Sequence, residues 1–384
     1  MQAIVNLKEF KKNLEFVTSI LTKNTLIFYK CVHFEADNQK LTLKASDERI
    51  TLVKTMDCEV LEAGKTAVSY ANLLDYVTGL KGNDQVEIKS ADKRFILTYR
   101  DRGIDIPINF NYSTIAIPIR EEIENNHLEF KAREIVDIFS KLKRLMSNDP
   151  DRPILISICL KIKKDHLLFV ACDGKRVGEI YMDKSNDYNE ADEIVINKDV
   201  VNLLLKEIDT TKNRIVKLFY TKYEFTDFFI DDDIIISIKS CLFKYPNYEK
   251  AINIEPDEAV KEVEFNKLDL LEAMKICTLT KDLNKMSVRM KLSKNSNLAL
   301  FNSSLKYLHF SEAEITAKVE LPVYDNKIGD YNAYFCPTYM IDILYALEGN
   351  IVKIAIIEKE KSKSPLFITE PRSKNRFLLM PLRS

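Results

Sequence analysis

Few residues of this chain have the spacing that a catalytic or metal site requires. Four histidines lie far apart in the sequence: His33, His127, His166 and His309. No Cys-x-x-Cys or His-Glu-x-x-His motif accompanies them. The 8 glycines form neither a Gly-x-Gly-x-x-Gly nor a Gly-x-x-x-x-Gly-Lys loop, so no phosphate-binding loop is expected. These patterns argue against an enzyme and predict neither a cofactor nor a metal.

Two short segments could still support chemistry. Asp231–Asp233 offers the carboxylates that divalent cations prefer. It lies between the apolar runs Phe228–Ile230 and Ile234–Ile236, which indicates a tight, solvated turn between two strands. Cys172–Arg176 places a thiol beside two cations that could activate it. Because no partner base is adjacent, we interpret this segment as a turn at a strand end.

The elements that would position any site recur three times. Each third is predicted to begin with a strand and an amphipathic helix, and to continue to a second helix, a polar turn and two strands. First helices are predicted over 7–21, 131–146 and 266–279, and second helices over 71–80, 198–208 and 337–347. In the first helix of the chain, apolar residues three or four apart form one stripe: Leu7, Phe10, Leu14, Val17 and Leu21.

The period of this repeat is close to the size of a domain. We therefore predict three similar domains, not an array of small stacked repeats. Polar segments over 121–126 and 253–258 would connect them, which gives domains over 1–125, 126–256 and 257–384. The fold class is predicted to be α+β, with two helices packed on antiparallel sheets in each domain.

Composition narrows the class of protein further. The net charge of −1 over 384 residues gives no global attraction to nucleic acid or to a membrane surface. Seven scattered cysteines predict reduced, mostly buried thiols in a cytoplasmic protein. Lysines at positions 8, 11 and 12 interrupt any apolar leader. No run of about 18 apolar residues predicts a transmembrane helix.

Basic residues concentrate on the first helices. Over 131–144, five basic residues accompany two acidic ones, whereas the helix of the last third is nearly balanced. A charged helix face is usually only a solvated face, and it is also what a surface that contacts phosphates needs. From the residues alone, both interpretations stay open.

Four segments match one known pattern. An apolar strand at the chain end runs into Met380–Arg383, and Asp173–Val177 is similar to an Asp-Gly-His-Arg-Leu turn. Lys244–Tyr248 is similar to a Phe-Pro-Asp-Tyr element, and Tyr339–Leu347 to a final helix. In this order and at domain spacing, the segments resemble the bacterial replicative sliding clamp family, the beta subunit of DNA polymerase III. The resemblance covers essentially the whole chain.

The resemblance implies a three-domain chain that forms half of a ring. Two copies would associate head to tail, with helices around a central hole for duplex DNA and sheets outside. Such a protein confers processivity on a replicative polymerase and is not an enzyme. Its DNA contacts would be independent of base sequence and would come from basic residues on the inner helices: Lys8, Lys11, Lys12, Lys23, Arg133, Lys141, Lys143, Arg144, Lys198 and Lys275.

The same resemblance implies a pocket between the second and third domains. DNA polymerases and the clamp loader would insert short peptide motifs with apolar anchors there. Carried over position by position, the pocket wall would comprise Arg152, Leu155, Cys172, Gly174, Lys175, Arg176, Val177, Pro246, Tyr339, Leu378, Met380, Pro381, Leu382 and Arg383.

Several pocket positions depart from the family pattern. Cys172 and Lys175 stand where threonine and histidine are usual, and Asn247 follows Pro246 where aspartate is usual. These changes leave open a divergent, clamp-like scaffold that serves repair. A second alternative is a metal-dependent nucleic-acid enzyme that uses Asp231–Asp233.

Overall fold

A computed structural model describes residues 1–21, 30–108, 127–185, 193–221, 225–239, 243–253, 260–279, 287–306, 314–359 and 363–382. Seven α-helices and 25 strands lie within this part of the chain. The elements of the first third are β1 (Gln2–Asn6), α1 (Leu7–Thr18), β2 (Cys31–Asp37), β3 (Lys40–Ser46), β4 (Ile50–Asp57), β5 (Glu59–Glu62), β6 (Gly64–Ser69), α2 (Tyr70–Gly79), β7 (Gln85–Ala91), β8 (Arg94–Tyr99) and β9 (Arg102–Pro107).

The second and third thirds repeat this order. The second contains β10 (His127–Lys131), α3 (Ala132–Lys143), β11 (Ser157–Ile162), β12 (His166–Cys172), β13 (Arg176–Asp183), β14 (Glu193–Asn197), α4 (Lys198–Glu207), β15 (Ile215–Thr221), β16 (Phe225–Ile230), β17 (Ile234–Lys239) and a short α5 (Glu249–Ile252). The third contains β18 (Val260–Asn266), α6 (Lys267–Cys277), β19 (Val288–Leu292), β20 (Leu298–Lys306), β21 (Glu314–Pro322), β22 (Tyr331–Phe335), α7 (Pro337–Ala346), β23 (Ile351–Ile357), β24 (Leu366–Thr369) and β25 (Arg376–Leu379).

The predicted helix pairs and the α+β class are confirmed, with one correction. Three strands, not two, follow the second helix of each third: β7–β9, β15–β17 and β23–β25. The additional strand β9 contains Gly103 and ends at Pro107, residues that weaken the strand pattern in a sequence.

The described chain divides into two compact units. The first comprises Met1–Ile135 with Ile208–Leu242. It holds a five-stranded sheet, in the order β5-β1-β7-β8-β9, and an eight-stranded sheet, in the order β10-β15-β16-β17-β4-β3-β2-β6. In the eight-stranded sheet, β17 of the second third pairs antiparallel with β4 of the first, and Ile236 lies opposite Leu52.

The second unit comprises Val136–Glu207 with Phe243–Ser384. Its eight-stranded sheet runs β14-β11-β12-β13-β25-β24-β23-β18, and a four-stranded sheet runs β21-β20-β19-β22. Here β13 of the second third pairs antiparallel with β25 of the third, and Val177 lies opposite Leu378. The boundaries of the three predicted domains stay a prediction.

Asparagine caps start two of the first helices. Asn6 precedes α1 and accepts a hydrogen bond from Glu9 N at 3.1 Å. Asn266 precedes α6 and accepts hydrogen bonds from Leu268 N and Asp269 N. Such caps satisfy amides that have no partner within the helix. The predicted stripe on α1 is confirmed, since Leu7, Phe10, Leu14 and Val17 are all buried.

The described residues can be compared with two expectations from composition, which concern the cysteines and transmembrane helices. Six cysteines lie in the described part of the chain, all six are free thiols, and four are buried: Cys31, Cys159, Cys172 and Cys277. None of the described helices is long and apolar enough to cross a membrane.

Candidate functional site

The C-terminal segment lies against the turn that follows β12. Pairing of β13 with β25 places Arg176 opposite Leu379. Beyond the strand, Met380 N donates to Lys175 O at 2.8 Å, and Leu382 N donates to Tyr334 O at 2.7 Å. Two backbone hydrogen bonds therefore hold the tail, one to a residue about 200 positions earlier and one to a residue about 50 positions earlier.

Four predicted pocket residues belong to one larger cluster of buried residues: Leu155, Cys172, Val177 and Leu378. Tyr245 and Tyr248 also belong to it, and neither was predicted as a pocket residue. The Tyr245 hydroxyl accepts from Cys172 N at 3.1 Å, so the ring and the strand end are fixed together. Their only sequence signal was the similarity of Lys244–Tyr248 to a family element.

The rim of this cluster is solvent-exposed and partly apolar. Met380 is 39 % exposed and Leu382 is 37 % exposed, and both are apolar side chains at a chain terminus. Pro246 is exposed and Pro381 is half-buried. A predicted wall residue, Arg383, lies outside the described residues. The arrangement is an apolar floor with apolar side chains projecting at its edge, which suits an apolar ligand group.

The Asp173–Arg176 turn is held by its own aspartate. Asp173 Oδ1 accepts from Lys175 N at 2.8 Å and from Arg176 N at 3.0 Å. Gly174 has a φ of +86°, a left-handed conformation that favours glycine. A Cβ at Gly174 would lie 3.2 Å from Arg152 Nη1, so the turn and the Arg152 side chain are in close contact.

Arg176 is a buried anchor and not a free cation at the rim. It is 5 % exposed, its Nη1 donates to Asp342 Oδ2 at 2.7 Å, and its Nε donates to Asp173 Oδ2 at 3.1 Å. Its Nη2 donates to the Arg144 carbonyl at 2.6 Å, and its guanidinium lies 4.3 Å from the Tyr339 ring centroid. The cations exposed at the rim are Lys175 and Arg152.

Burial determines the ionisation of the groups in the floor. Desolvation raises the pKa of the Cys172 thiol and raises that of Tyr245 well above its usual range. Cys172 is therefore a neutral thiol at neutral pH and lacks the reactivity of a nucleophilic thiolate. The interpretation of Cys172–Arg176 as a turn, and not as a nucleophile with activating cations, agrees with this geometry.

The predicted DNA-facing cations of α1 differ in their contacts. Lys8 and Lys12, one helical turn apart, are exposed. Lys11 is half-buried, and its Nζ donates to the Thr78 carbonyl at 2.6 Å. Lys23 lies outside the described residues. The outer face of α1 therefore keeps two freely solvated cations among the described residues.

On α3 and α4 the cations are more constrained. Arg133 Nε donates to Thr210 O at 2.9 Å, and Lys198 Nζ donates to Asn148 Oδ1. Lys141 forms ion pairs at 2.5 Å with Asp137 and with Glu348. Lys143 is half-buried. The two carboxylates neutralise Lys141, so the sequence overestimated the positive charge of this helix.

Arg144 and Lys275 keep their charge and share an aromatic neighbour. The Arg144 guanidinium lies 4.8 Å, and the Lys275 ammonium 5.7 Å, from the centroid of the Tyr345 ring. Tyr345, on α7, is 44 % exposed and was not predicted as a site residue. Only its helical position near Asp342 could have indicated a role.

Two of the three aspartates in the acidic turn pair with cations. Arg214 Nε lies 2.5 Å from Asp231 Oδ2, and the same guanidinium pairs with Asp233. Lys54 Nζ lies 2.5 Å from the other oxygen of Asp233. Asp231 has a φ of +48°, as the predicted tight turn between β16 and β17 requires. Within the described residues, no group of three or more His, Cys, Asp or Glu side chains could hold a metal ion.

Comparisons with known proteins find similarity to one family. Residues 1–124 match the family model of the N-terminal domain of the DNA polymerase III beta subunit. The first third of the chain is thus similar to the N-terminal domain of the DNA polymerase III beta subunit family. It is also similar to the beta sliding clamp of Treponema pallidum, at 19 % identity over 289 residues, which is 73 % of each chain.

Solved beta subunits share the fold over the full length. The DNA polymerase III subunit beta of Pseudomonas aeruginosa matches with a TM-score of 0.83 at 17 % identity, over 100 % of both chains. The C. crescentus beta sliding clamp matches with a TM-score of 0.84 at 15 % identity, over 100 % of this chain and 99 % of that one. The resemblance predicted from the sequence is therefore confirmed.

Proposed function

We propose that this chain is a DNA sliding clamp, a non-catalytic ring that encircles duplex DNA and tethers a replicative DNA polymerase. The observation that carries this function is the match to solved beta subunits over the whole chain, together with the family match of residues 1–124. The buried thiol at Cys172 and the neutralised carboxylates at Asp231 and Asp233 give no support to catalysis.

The sheet topology supports ring closure by a second copy. Each eight-stranded sheet joins the closing strand of one third to a strand of the preceding third, through β17 with β4 and through β25 with β13. The equivalent strands β9 and β21 are at the ends of the five-stranded and four-stranded sheets. A second copy that pairs its β21 with β9 would repeat the same junction, and two such contacts close a head-to-tail dimer.

Light scattering tests this dimer. The proposal predicts a mass of about twice the 44.5 kDa of one chain at micromolar concentration. A monomeric mass at all concentrations would favour the clamp-like scaffold.

Diffuse contacts with phosphates suit a protein that must slide. Lys8 and Lys12 are exposed, and Arg144 and Lys275 keep their charge, whereas Lys141 is paired with carboxylates. Cation–phosphate attraction is independent of base sequence and weakens with salt. A moderate number of free cations therefore favours retention of duplex DNA without fixing its position.

The apolar cluster beside the C-terminal tail is proposed as the site for partner peptides. Its floor is apolar, Met380 and Leu382 are exposed at its edge, and Lys175 adds positive charge, whereas Arg152 is paired with Asp149. A short segment with apolar anchors and an acidic residue fits this chemistry. We assign the DNA polymerase and the clamp loader as the partners that present such segments.

Primer extension tests the complete function. The template is a primed single-stranded circle. Without this chain, the polymerase should release short products; with the chain and its clamp loader, the same polymerase should synthesise full-length products. A variant without Met380–Ser384 should give no gain while remaining a dimer. No gain with the wild-type chain would contradict the clamp. Metal-dependent cleavage of the DNA that Asp232→Ala removes would establish the enzyme alternative instead.

A further inference from the structure

Two cationic side chains from separate parts of the chain meet at the half-exposed ring of Tyr345. Arg144 follows α3, Lys275 lies in the last turn of α6, and Tyr345 lies in the last turns of α7. The guanidinium and the ammonium both lie within 6 Å of the Tyr345 ring centroid, the range of a cation–π contact. We call these residues the Tyr345 cluster.

A contact with an aromatic ring differs from an ion pair in its consequence for charge. A carboxylate cancels the charge of a cation, as Asp137 and Glu348 do for Lys141. An aromatic ring attracts a cation through its quadrupole and leaves the net charge unchanged. The Tyr345 cluster therefore holds two positive charges in place while keeping them available to an anion.

The surroundings of the cluster support this distinction. Lys275 is exposed, and its recorded contact among the described residues is with the Tyr345 ring, not with a carboxylate. Arg144 is half-exposed and approaches Asp342 only at 3.9 Å, while Asp342 receives a 2.7 Å hydrogen bond from Arg176. Asp342 is thus bound mainly to Arg176, and most of the Arg144 charge stays free.

We propose that Arg144, Lys275 and Tyr345 form one phosphate-binding cluster for the backbone of duplex DNA, in which Tyr345 is the positioning residue. This inference rests on the proposed function. An ordered pair of cations loses less side-chain freedom on binding a phosphate than two freely moving side chains. The ring should therefore matter to DNA affinity although it carries no charge.

Salt-dependent DNA binding tests the cluster in the full-length dimer. Fluorescence anisotropy of a labelled duplex, measured over a series of salt concentrations, gives the affinity and its salt slope. Lys275→Ala should lower the slope by about one, the signature of one lost phosphate contact. Tyr345→Leu should lower the affinity about threefold at low salt, in keeping with the modest strength of exposed cation–π contacts. Tyr345→Phe keeps the ring and should restore wild-type affinity.

A matched control and a triple variant make the test specific. Tyr324 is 58 % exposed, and Tyr324→Leu should leave DNA affinity unchanged. Because the ring acts through the cations, Tyr345→Leu in an Arg144→Ala/Lys275→Ala background should cost nothing further. Inorganic phosphate at millimolar concentration should compete no better than its ionic strength predicts. Competition that saturates would assign the cluster to free phosphate and overturn the proposal.

The possible outcomes distinguish failure of the cluster assignment from failure of the proposed clamp function. If wild type binds duplex DNA and Tyr345→Leu binds equally well, the cluster assignment is wrong and the clamp stands. If wild type shows no salt-dependent binding to duplex DNA, both are wrong.

Discussion

Arg176 Nη1 donates a hydrogen bond of 2.7 Å to Asp342 Oδ2 and so connects the turn after β12 to helix α7. The same guanidinium lies over Tyr339, a predicted pocket residue, and Asp342 lies 3.9 Å from Arg144, a predicted DNA contact. One buried ion pair thus lies between the two surfaces that the proposed function requires. Its loss should affect folding stability and peptide binding together.

Asp342→Asn should destabilise the fold by about 2 kcal/mol, because the buried Arg176 loses one of its two carboxylate partners. Peptide affinity should fall as well, since Arg176 packs on Tyr339. Urea unfolding and peptide titration measure the two effects. Asp325→Asn breaks an exposed ion pair with Lys327 and should leave stability almost unchanged. Equal losses of folding stability in the two variants would show that the Arg176–Asp342 pair stabilises the fold no more than an exposed pair does.

Gly174→Ala and Gly329→Ala form a matched pair. Both glycines have positive φ, +86° and +77°, so alanine should cost each about 1 kcal/mol. Only at Gly174 would the new Cβ approach another group, Arg152 Nη1 at 3.2 Å, whereas nothing lies within 4 Å at Gly329. Peptide affinity should therefore fall in Gly174→Ala alone. A similar fall in Gly329→Ala would trace the effect to stability instead of to the pocket.

Met380→Ala/Leu382→Ala should weaken binding of a polymerase-derived peptide at least tenfold, because exposed apolar anchors carry much of the energy of such contacts. The loss in folding stability should be small, since both side chains are more than a third exposed. Leu298→Ala, at a similarly exposed leucine of β20, serves as the control. Unchanged peptide affinity in the double variant would refute the pocket.

His33 should make stability fall in mild acid. Burial, with a smaller contribution from Lys44 across the strand pair, lowers its pKa from 6.5 to about 4. The unfolded chain gains the proton first, so stability is complete above pH 6.5 and decreases as the pH falls towards 4, by up to about 3 kcal/mol. His33→Gln should flatten the pH profile of stability between pH 6.5 and 4. The stability that this variant loses at pH 8 measures the effect of the substitution that is unrelated to titration. A profile of unchanged slope would contradict the assignment.

The sequence predicted local structure better than it predicted the roles of charged residues. The apolar stripe of α1 and the hairpin of β7 with β8 follow from patterns within a few residues. The partners of Arg176 and Lys141 could not be predicted in this way, because Asp342 and Glu348 lie 166 and 207 positions further along the chain. Burial of Arg176 and neutralisation of Lys141 are consequences of packing between distant segments.

The functional site, too, could be predicted from the sequence only in part. Family resemblance predicted the tail and the turn that the structure brings together, as the hydrogen bond from Met380 N to Lys175 O shows. It did not predict the Tyr345 ring, because cation–π contacts between distant segments leave no local spacing pattern in a sequence.

Retention on DNA of different topology tests the central claim most directly. The chain is loaded onto a nicked circular duplex, separated from free protein, and the circle is then cut once by a restriction enzyme. A closed ring should stay on the uncut circle and leave the linear product by sliding off its ends. Equal retention on both forms, or equal loss from both, would contradict the clamp.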